Sequence, residues 1–397
     1  MERCPPEICH KIFSFACKDD GHTGRSLSLV SRYIHEASKL SRYHSVVLEG
    51  VDHIQTFANV LKDTPPQFRR VQHLFISYRG PAPALVESDS GVSRTKVFGV
   101  LTSSNRDIAA NRNTGPSLVD NETTEQRGRS ARAIMSTNVI LQGIVSVLDL
   151  MADSLQTLTI VTVNLRPFAL TPVPLPMLTE LTLYGIHDPA AWKLDLHRVP
   201  SLRRLHIQGI CFGDAIQPLV ELTPNLTHLR MSGLEHAVSI SRSIGAALAV
   251  FQSQDEVRER DVADASNPQS TRPVRRVLVQ PRPPRRFGCG FAYGQYASAM
   301  TEIERAASND PERRVMVLKP QVSTLIGDEL VKEAKGFWLD RVQGGEGCWR
   351  EDAPLPIPRD DTNLGRTRVL PRKFNSFCEC SSVTSGCPGS NLFIPQL

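Results

Sequence analysis

Ser154-Leu155-Gln156-Thr157-Leu158-Thr159-Ile160, Met177-Leu178-Thr179-Glu180-Leu181-Thr182-Leu183, Ser201-Leu202-Arg203-Arg204-Leu205-His206-Ile207 and Asn225-Leu226-Thr227-His228-Leu229-Arg230-Met231 share one pattern, Leu-x-x-Leu-x-apolar. Their first leucines, Leu155, Leu178, Leu202 and Leu226, lie 23, 24 and 24 residues apart. The end of each segment alternates apolar and polar residues, so each reads as a short strand with one face inward. A unit of this length cannot cover its apolar face alone and must stack on the next unit. On that reading Thr159, Thr182, His206, Gln208, His228 and Arg230 stand between the inward residues and point outward, along the concave side of the array.

The same rhythm extends in both directions. Upstream, Ser45-Val46-Val47-Leu48 and Val71-Gln72-His73-Leu74-Phe75-Ile76 are β-prone runs, with Ile54, Phe57, Ala58 and Leu61 on one helix face between them. A packed apolar helix from Val139 to Met151 leads into the four copies. Downstream, Ile240, Ile244, Ala247, Leu248 and Phe251 form a helical stripe. Arg275-Arg276-Val277-Leu278-Val279 is strand-like, with Val277 lying 48 residues, two repeat lengths, beyond Leu229. Tyr293, Tyr296, Ala297, Met300 and Ile303 share a helix face, and Arg313 to Pro320 gives another strand. A last helix runs from about Asp328 to Val342, with Leu330, Ala334, Phe337, Trp338 and Arg341 at helical spacing and Gly344-Gly345 as its stop. Eight strand candidates in series, separated by helices, predict an α/β chain. Self-similarity at this period resembles the leucine-rich repeats, which implies an irregular solenoid.

The N-terminus has a different character. Pro5-Pro6 suits a first helical turn, because proline there loses no hydrogen bond. Ile8, Ile12 and Phe15 recur at four and three residues on one face. After the breaker Asp19-Asp20-Gly21-His22-Thr23-Gly24, the residues Leu27, Val30, Ile34 and Ala37 repeat that spacing. Two or three short helices in about forty residues are too small to bury a core alone, so the unit needs a partner or a neighbouring domain.

These residues resemble an F-box, whose pattern is Leu-Pro-x-Glu-Ile, Ile-Phe, and Leu-x-x-Val-x-Arg followed by an aromatic residue. Pro5, Glu7, Ile8, Ile12, Phe13, Leu27, Val30, Arg32 and Tyr33 fall on it in order. Cys4 stands where leucine is usual, and Tyr33 or Ile34 where tryptophan is common; adaptor binding is expected to be weakened at most. Joined to irregular leucine-rich repeats and the closing Phe337-Trp338-Leu339-Asp340-Arg341-Val342-Gln343-Gly344-Gly345-Glu346-Gly347-Cys348-Trp349, the module is similar to the large basidiomycete-type fungal F-box family. The resemblance implies the substrate-recognition subunit of an SCF-type (cullin–RING) ubiquitin ligase. Pro5, Ile8, Ile12, Phe13, Leu27, Val30 and Tyr33 would bind the Skp-type adaptor, and through it a cullin. The six outward residues would bind an unknown protein substrate. The alternative is an interaction scaffold outside any ligase, whose helical box only caps the repeats.

The expected organisation is a helical module over 1–45, a first strand–helix–strand unit over 46–78, a disordered insertion over 79–133, the solenoid over 134–349 and a disordered tail over 350–397. The insertion and tail are turn-rich or proline-rich and lack periodicity. Net charge is +5 over 397 residues with the signs well mixed, which gives no global case for nucleic acid. No apolar run is long enough to span a bilayer, and no signal-peptide core is expected. Nine irregularly spaced cysteines read as reduced thiols in a cytoplasmic or nuclear protein.

No chemistry of its own is expected. Cys378, Cys380 and Cys387 give three sulfur ligands where structural zinc takes four, so no metal is assigned. Gly288 to Gly294 lacks the spacing and the Lys-Ser/Thr of a phosphate loop, so no cofactor is assigned. His206 and His228 have no serine or cysteine beside them in a nucleophile-type setting. Arg272, Arg275, Arg276, Arg282, Arg285 and Arg286 form a local basic cluster, but only Phe287 adjoins it for base stacking, so nucleic acid is not the expected partner.

Overall fold

The computed structural model of the chain describes residues 4–79, 138–163, 173–185, 198–208, 220–221, 223–234, 244–245, 247–249, 276–282, 290–310, 312–320 and 327–350. All of them lie in Met1–Ile357, the first of two units, the second being Pro358–Leu397. Of the expected insertion only Arg79 is described, and of the expected tail only Arg350; the rest of both lies outside the described residues, as do Ile240 and Phe251 of the downstream stripe.

Eight strands form one parallel sheet in chain order: β1 Ser45–Glu49, β2 His73–Arg79, β3 Thr157–Val163, β4 Glu180–Tyr184, β5 Arg204–Gln208, β6 His228–Leu234, β7 Arg276–Pro281 and β8 Val315–Val317. Each strand-like stretch of the sequence is one of them. Parallel neighbours need crossover connections. Among the described residues, long helices fill three of these: α4 Gly50–Asp63 between β1 and β2, α5 (138–151) before β3, and α6 Gly290–Ser308 between β7 and β8.

The repeat is a repeat of register. Leu74, Leu158, Leu181, Leu205, Leu229, Val277 and Val315 are successive partners across the sheet. The leucines that open the four copies are 0–1 % exposed, and the two apolar positions of each strand 0–2 %. Burying one such side chain stabilises by roughly 1.5–3 kcal/mol. The backbone just before the strands repeats too: Gln156, Thr179, Arg203 and Thr227 each donate an N–H to the equivalent carbonyl one strand back, at 2.8–2.9 Å. Ile54, Ala58 and Leu61 of α4, Ile140, Ile144, Val147, Leu148 and Met151 of α5, and Ile303 and Ala307 of α6 cover this first face of the sheet. In α6 the sequence face is off by a fraction of a turn. Ala297 is exposed, while Ala299, Ile303 and Ala307 are buried.

The second face is covered by the last helix, α7 Asp328–Val342. Phe75, Val161 and Tyr184 pack there with Leu330, Ala334, Trp338 and Val342. A following turn, Gly347–Trp349, continues over β7, where Leu278 meets Leu318, Cys348 and Trp349. The chain thus crosses from one side of the sheet to the other after β8, so α7 is not one more connecting helix of the repeat.

The N-terminal module is three helices: α1 Pro6–Ala16, α2 His22–Val30 and α3 Arg32–Ser38. The Asp19 carboxylate accepts N–H bonds from Gly21 and Thr23 at 2.9 and 2.8 Å, satisfying donors at the start of α2. The sequence spacing joins Leu27, Val30, Ile34 and Ala37 on one face; Ser31 breaks it. Its backbone is extended, and its hydroxyl accepts the Ile34 N–H at 3.2 Å, capping a new helix. Val30 is therefore left outside while Ile34 turns inward. The module meets the sheet edge at Ser45, whose hydroxyl lies 2.6 Å from the Cys17 and Asp19 carbonyl oxygens and donates its one proton between them.

Candidate functional site

Two surfaces carry the residues that the sequence singles out. The first is the outer side of the helical module. Ile8, Ile12 and Val30 are 49, 53 and 66 % exposed, and Pro5 is exposed. Phe15 and Leu29, outside the expected adaptor set, are 64 and 78 % exposed. Five of the eight large exposed hydrophobic residues among those described thus fall between residues 8 and 30, on two helices packed on one another. Contiguous apolar exposure is the general mark of an interaction surface, whereas scattered single residues are ordinary. The Lys18 ammonium sits 5.0 Å from the Phe15 ring centre, giving the patch a cationic rim.

Three members of the expected set are placed differently. Phe13 is 4 % exposed and forms the module's own core with Cys9 and Ile34, so it is not free to meet a partner. Leu27 and Tyr33 pack partly buried against that core, and Tyr33 Oη donates to the Cys4 carbonyl oxygen at 2.6 Å. Helical spacing selects Ile8, Ile12 and Phe15 together, and that was the signal for Phe15. For Leu29 there was no signal, since its exposure depends on α2 ending at Val30.

The second surface is the sheet face expected to hold a substrate, and here the expectation is corrected. Thr159, Thr182, His206 and Arg230 do point away from the apolar core, but all four are buried; Gln208 and His228 are partly buried. They form no open concave lining, because α7 and the Gly347–Trp349 turn lie on them. The hub is Glu180, a strand residue buried on this face. One carboxylate oxygen accepts from Arg341 Nε at 2.7 Å and the other from Trp349 Nε1 at 2.8 Å, with Arg204 Nη1 at 3.8 Å. The Trp349 ring stands edge-on to His206 and His228, with centroids 6.3 and 5.9 Å away, and the Arg204 guanidinium is 5.9 Å from the ring. Trp338 packs on Phe75 at 5.8 Å.

Beneath this cover lies a polar network that sequence spacing did not anticipate. His206 Nε2 is 3.0 Å from Ser232 Oγ, a contact formed across β5 and β6. Arg230 donates from Nε to that hydroxyl at 3.2 Å and from Nη2 to Gln280 Oε1 at 2.7 Å. A serine beside a histidine is the starting point of nucleophilic catalysis, where a third group orients the base and the hydroxyl is open to substrate. Here His206 Nδ1 has no partner among the described residues, and Ser232 is buried and already engaged by Arg230. The arrangement organises the strands. Burial holds His206 well below the ordinary imidazole range and brings His73 down to about 3 and His228 to about 4, so all three are neutral at pH 7. Burial also pushes the Cys348 thiol up to about 12.

The remaining candidates carry little. No group of three or more histidine, cysteine or acidic side chains able to hold a metal occurs among the described residues. Cys378, Cys380 and Cys387 lie outside them, as do Gly288, Cys289 and most of the arginine cluster. Its described members, Arg276 and Arg282, begin and follow β7, which sets them roughly 20 Å apart at the rise of a strand. No helix among the described residues is long and apolar enough to cross a membrane. Comparison of the chain with family models, with curated proteins and with solved structures finds no match.

Proposed function

We propose that the chain is the substrate-recognition subunit of an SCF-type ubiquitin ligase, with the N-terminal module as an F-box and the sheet with its helices as a leucine-rich-repeat solenoid. One observation carries this reading: Ile8, Ile12, Phe15, Leu29 and Val30 stay exposed on two adjoining helices of a module too small to be a domain in its own right. A Skp-type adaptor supplies the missing cover, with Ile8 and Ile12 from α1 and Val30 from α2 as anchors. The repeats then hold a protein substrate close to the ubiquitin-transfer enzyme, raising its effective concentration there. The covered strand face with Thr159, Thr182, His206 and Arg230 is closed to that substrate, which therefore engages another part of the surface.

The scaffold reading keeps one observation of its own. Ser45 ties the module to the β1 edge, and Lys335 of α7 reaches Asp20 at 3.5 Å and Glu49 at 3.2 Å, so the module also ends the sheet. A cap of this kind accounts for Phe13 and Ile34 but not for the apolar residues left outside. The deciding experiment is a pull-down with a purified fungal Skp-type adaptor, beside the double variant Ile8→Asp, Val30→Asp. Binding by the parent alone supports the ligase receptor; a folded parent that does not bind gives the scaffold reading precedence.

A further inference from the structure

Cys4 is where the module departs from the F-box pattern in chemistry as well as in size, and the fold puts a second thiol beside it. With Pro5 as the N-cap of α1, Cys4 is the residue before the cap and Cys9 the fourth residue of the helix. Side chains at these two positions pack on each other and fix how the chain enters a helix. Cys9, Phe13 and Ile34 form the buried cluster against which Cys4, Leu27, Tyr33 and Ala37 pack. Cys9 Sγ is 3.9 Å from the Cys4 carbonyl oxygen and 3.9 Å from Tyr33 Oη. Tyr33 Oη donates to that same carbonyl, so α3 holds the Cys4 backbone over Cys9. Both cysteines are free thiols, and a hydrogen bond with the Cys9 thiol is the main cause lifting the Cys4 thiol above its ordinary value.

We propose that Cys4 and Cys9 form an oxidisable pair, a modification site that closes to a disulfide across the first turn of α1 when the chain meets a small-molecule disulfide. Cys4, the more accessible, loses its proton and attacks one sulfur of the oxidant. The oxidant's disulfide breaks, a mixed disulfide forms on Cys4, and the first small thiol leaves. The Cys9 thiolate then attacks Cys4 Sγ, forming the Cys4–Cys9 bond and expelling the second small thiol. Two protein thiols are oxidised, one small disulfide is reduced to two thiols, and the two protons end on those thiols. Because the thiolate is the attacking species and the Cys4 thiol is held high, closure quickens as pH rises above neutral. The proposal stands whether or not the module docks an adaptor.

The test treats the full chain with oxidised glutathione, blocks free thiols with an alkylating reagent and digests with trypsin. Cleavage after Arg3 and Lys11 isolates Cys4–Lys11, which holds both cysteines and no other. The expected product is that peptide without alkyl groups, lighter by two hydrogens, restored to two alkylatable thiols by reductant. In Cys9→Ser the same treatment leaves glutathione on Cys4. Held in position by the fold, the pair closes on the order of tenfold faster in the native chain than in urea. Equal rates in the two conditions, a parent that stays doubly alkylated, or glutathione on Cys4 with Cys9 still alkylated overturns the proposal.

Discussion

In α1, Ile8, Ile12 and Phe15 recur at four and three residues and remain about half exposed or more; in α7, Leu330, Ala334, Trp338 and Val342 recur every four residues and are buried. Both helices end on the same unit, and Lys335 of α7 touches Asp20 and Glu49 near the module. The difference lies in what each faces. The α7 stripe meets Phe75, Val161 and Tyr184, apolar residues on the outward side of three adjacent strands. The α1 stripe turns away from the small core of Cys9, Phe13 and Ile34, which uses the helix's other side. Amphipathic spacing therefore defines a sticky face, while the neighbour decides whether it closes the fold or serves as a dock.

The contrast predicts unequal costs of truncation. Trp338→Ala removes a buried ring from the α7 seam and is expected to cost about 3–5 kcal/mol in urea unfolding. Glu180→Ala follows, at about 2–3 kcal/mol, because Trp349 Nε1 loses its acceptor and Arg341 its buried carboxylate. Gly24→Ala is next: a Cβ there overlaps the Arg42 backbone carbonyl, so α2 must shift from the segment after α3, at roughly 1–3 kcal/mol. At the other extreme, Ile12→Ser is expected to stay within about 0.5 kcal/mol of the parent. A large loss for Ile12→Ser, or a small one for Trp338→Ala, breaks the comparison.

Acid sharpens it further. His73, at about 3, and His228, at about 4, are both lowered from 6.5 by burial. An unfolded chain takes up protons on them below pH 6.5 while the folded chain does not. Their contribution is thus fully present above that pH and is lost as pH falls from 6.5, towards about 4 for His228 and about 3 for His73. The urea midpoint should drop over this window, and His73→Gln should flatten the drop without altering exposure of the α1 patch. A midpoint unchanged between pH 6.5 and 4.5 contradicts the buried, neutral state of these histidines.

The sheet was legible in the sequence because each strand carries its own signal: Leu158-Thr159-Ile160 and its three sisters state both register and inward side. The cover on the second face was not, although α7 itself was read at its observed bounds. Thr159, Thr182, His206 and Arg230 are polar, and a polar side of a strand reads as solvent-facing unless a partner is known. Arg341 of that partner lies 111 residues beyond Arg230, and Glu180 pairs with it across 161 residues. Local periodicity carries no such distance. In the module, helix existence was legible but orientation was not, since Ser31 splits one apparent stripe into an exposed Val30 and a buried Ile34.

The most direct test of the account is amide hydrogen exchange on the full chain with and without a purified Skp-type adaptor. Docking at the uncovered patch predicts slowed exchange in α1 and α2, around Ile8–Phe15 and Leu29–Val30, with no change in 328–350. Slowing confined to other segments, or none at adaptor concentrations that saturate a known F-box, contradicts it.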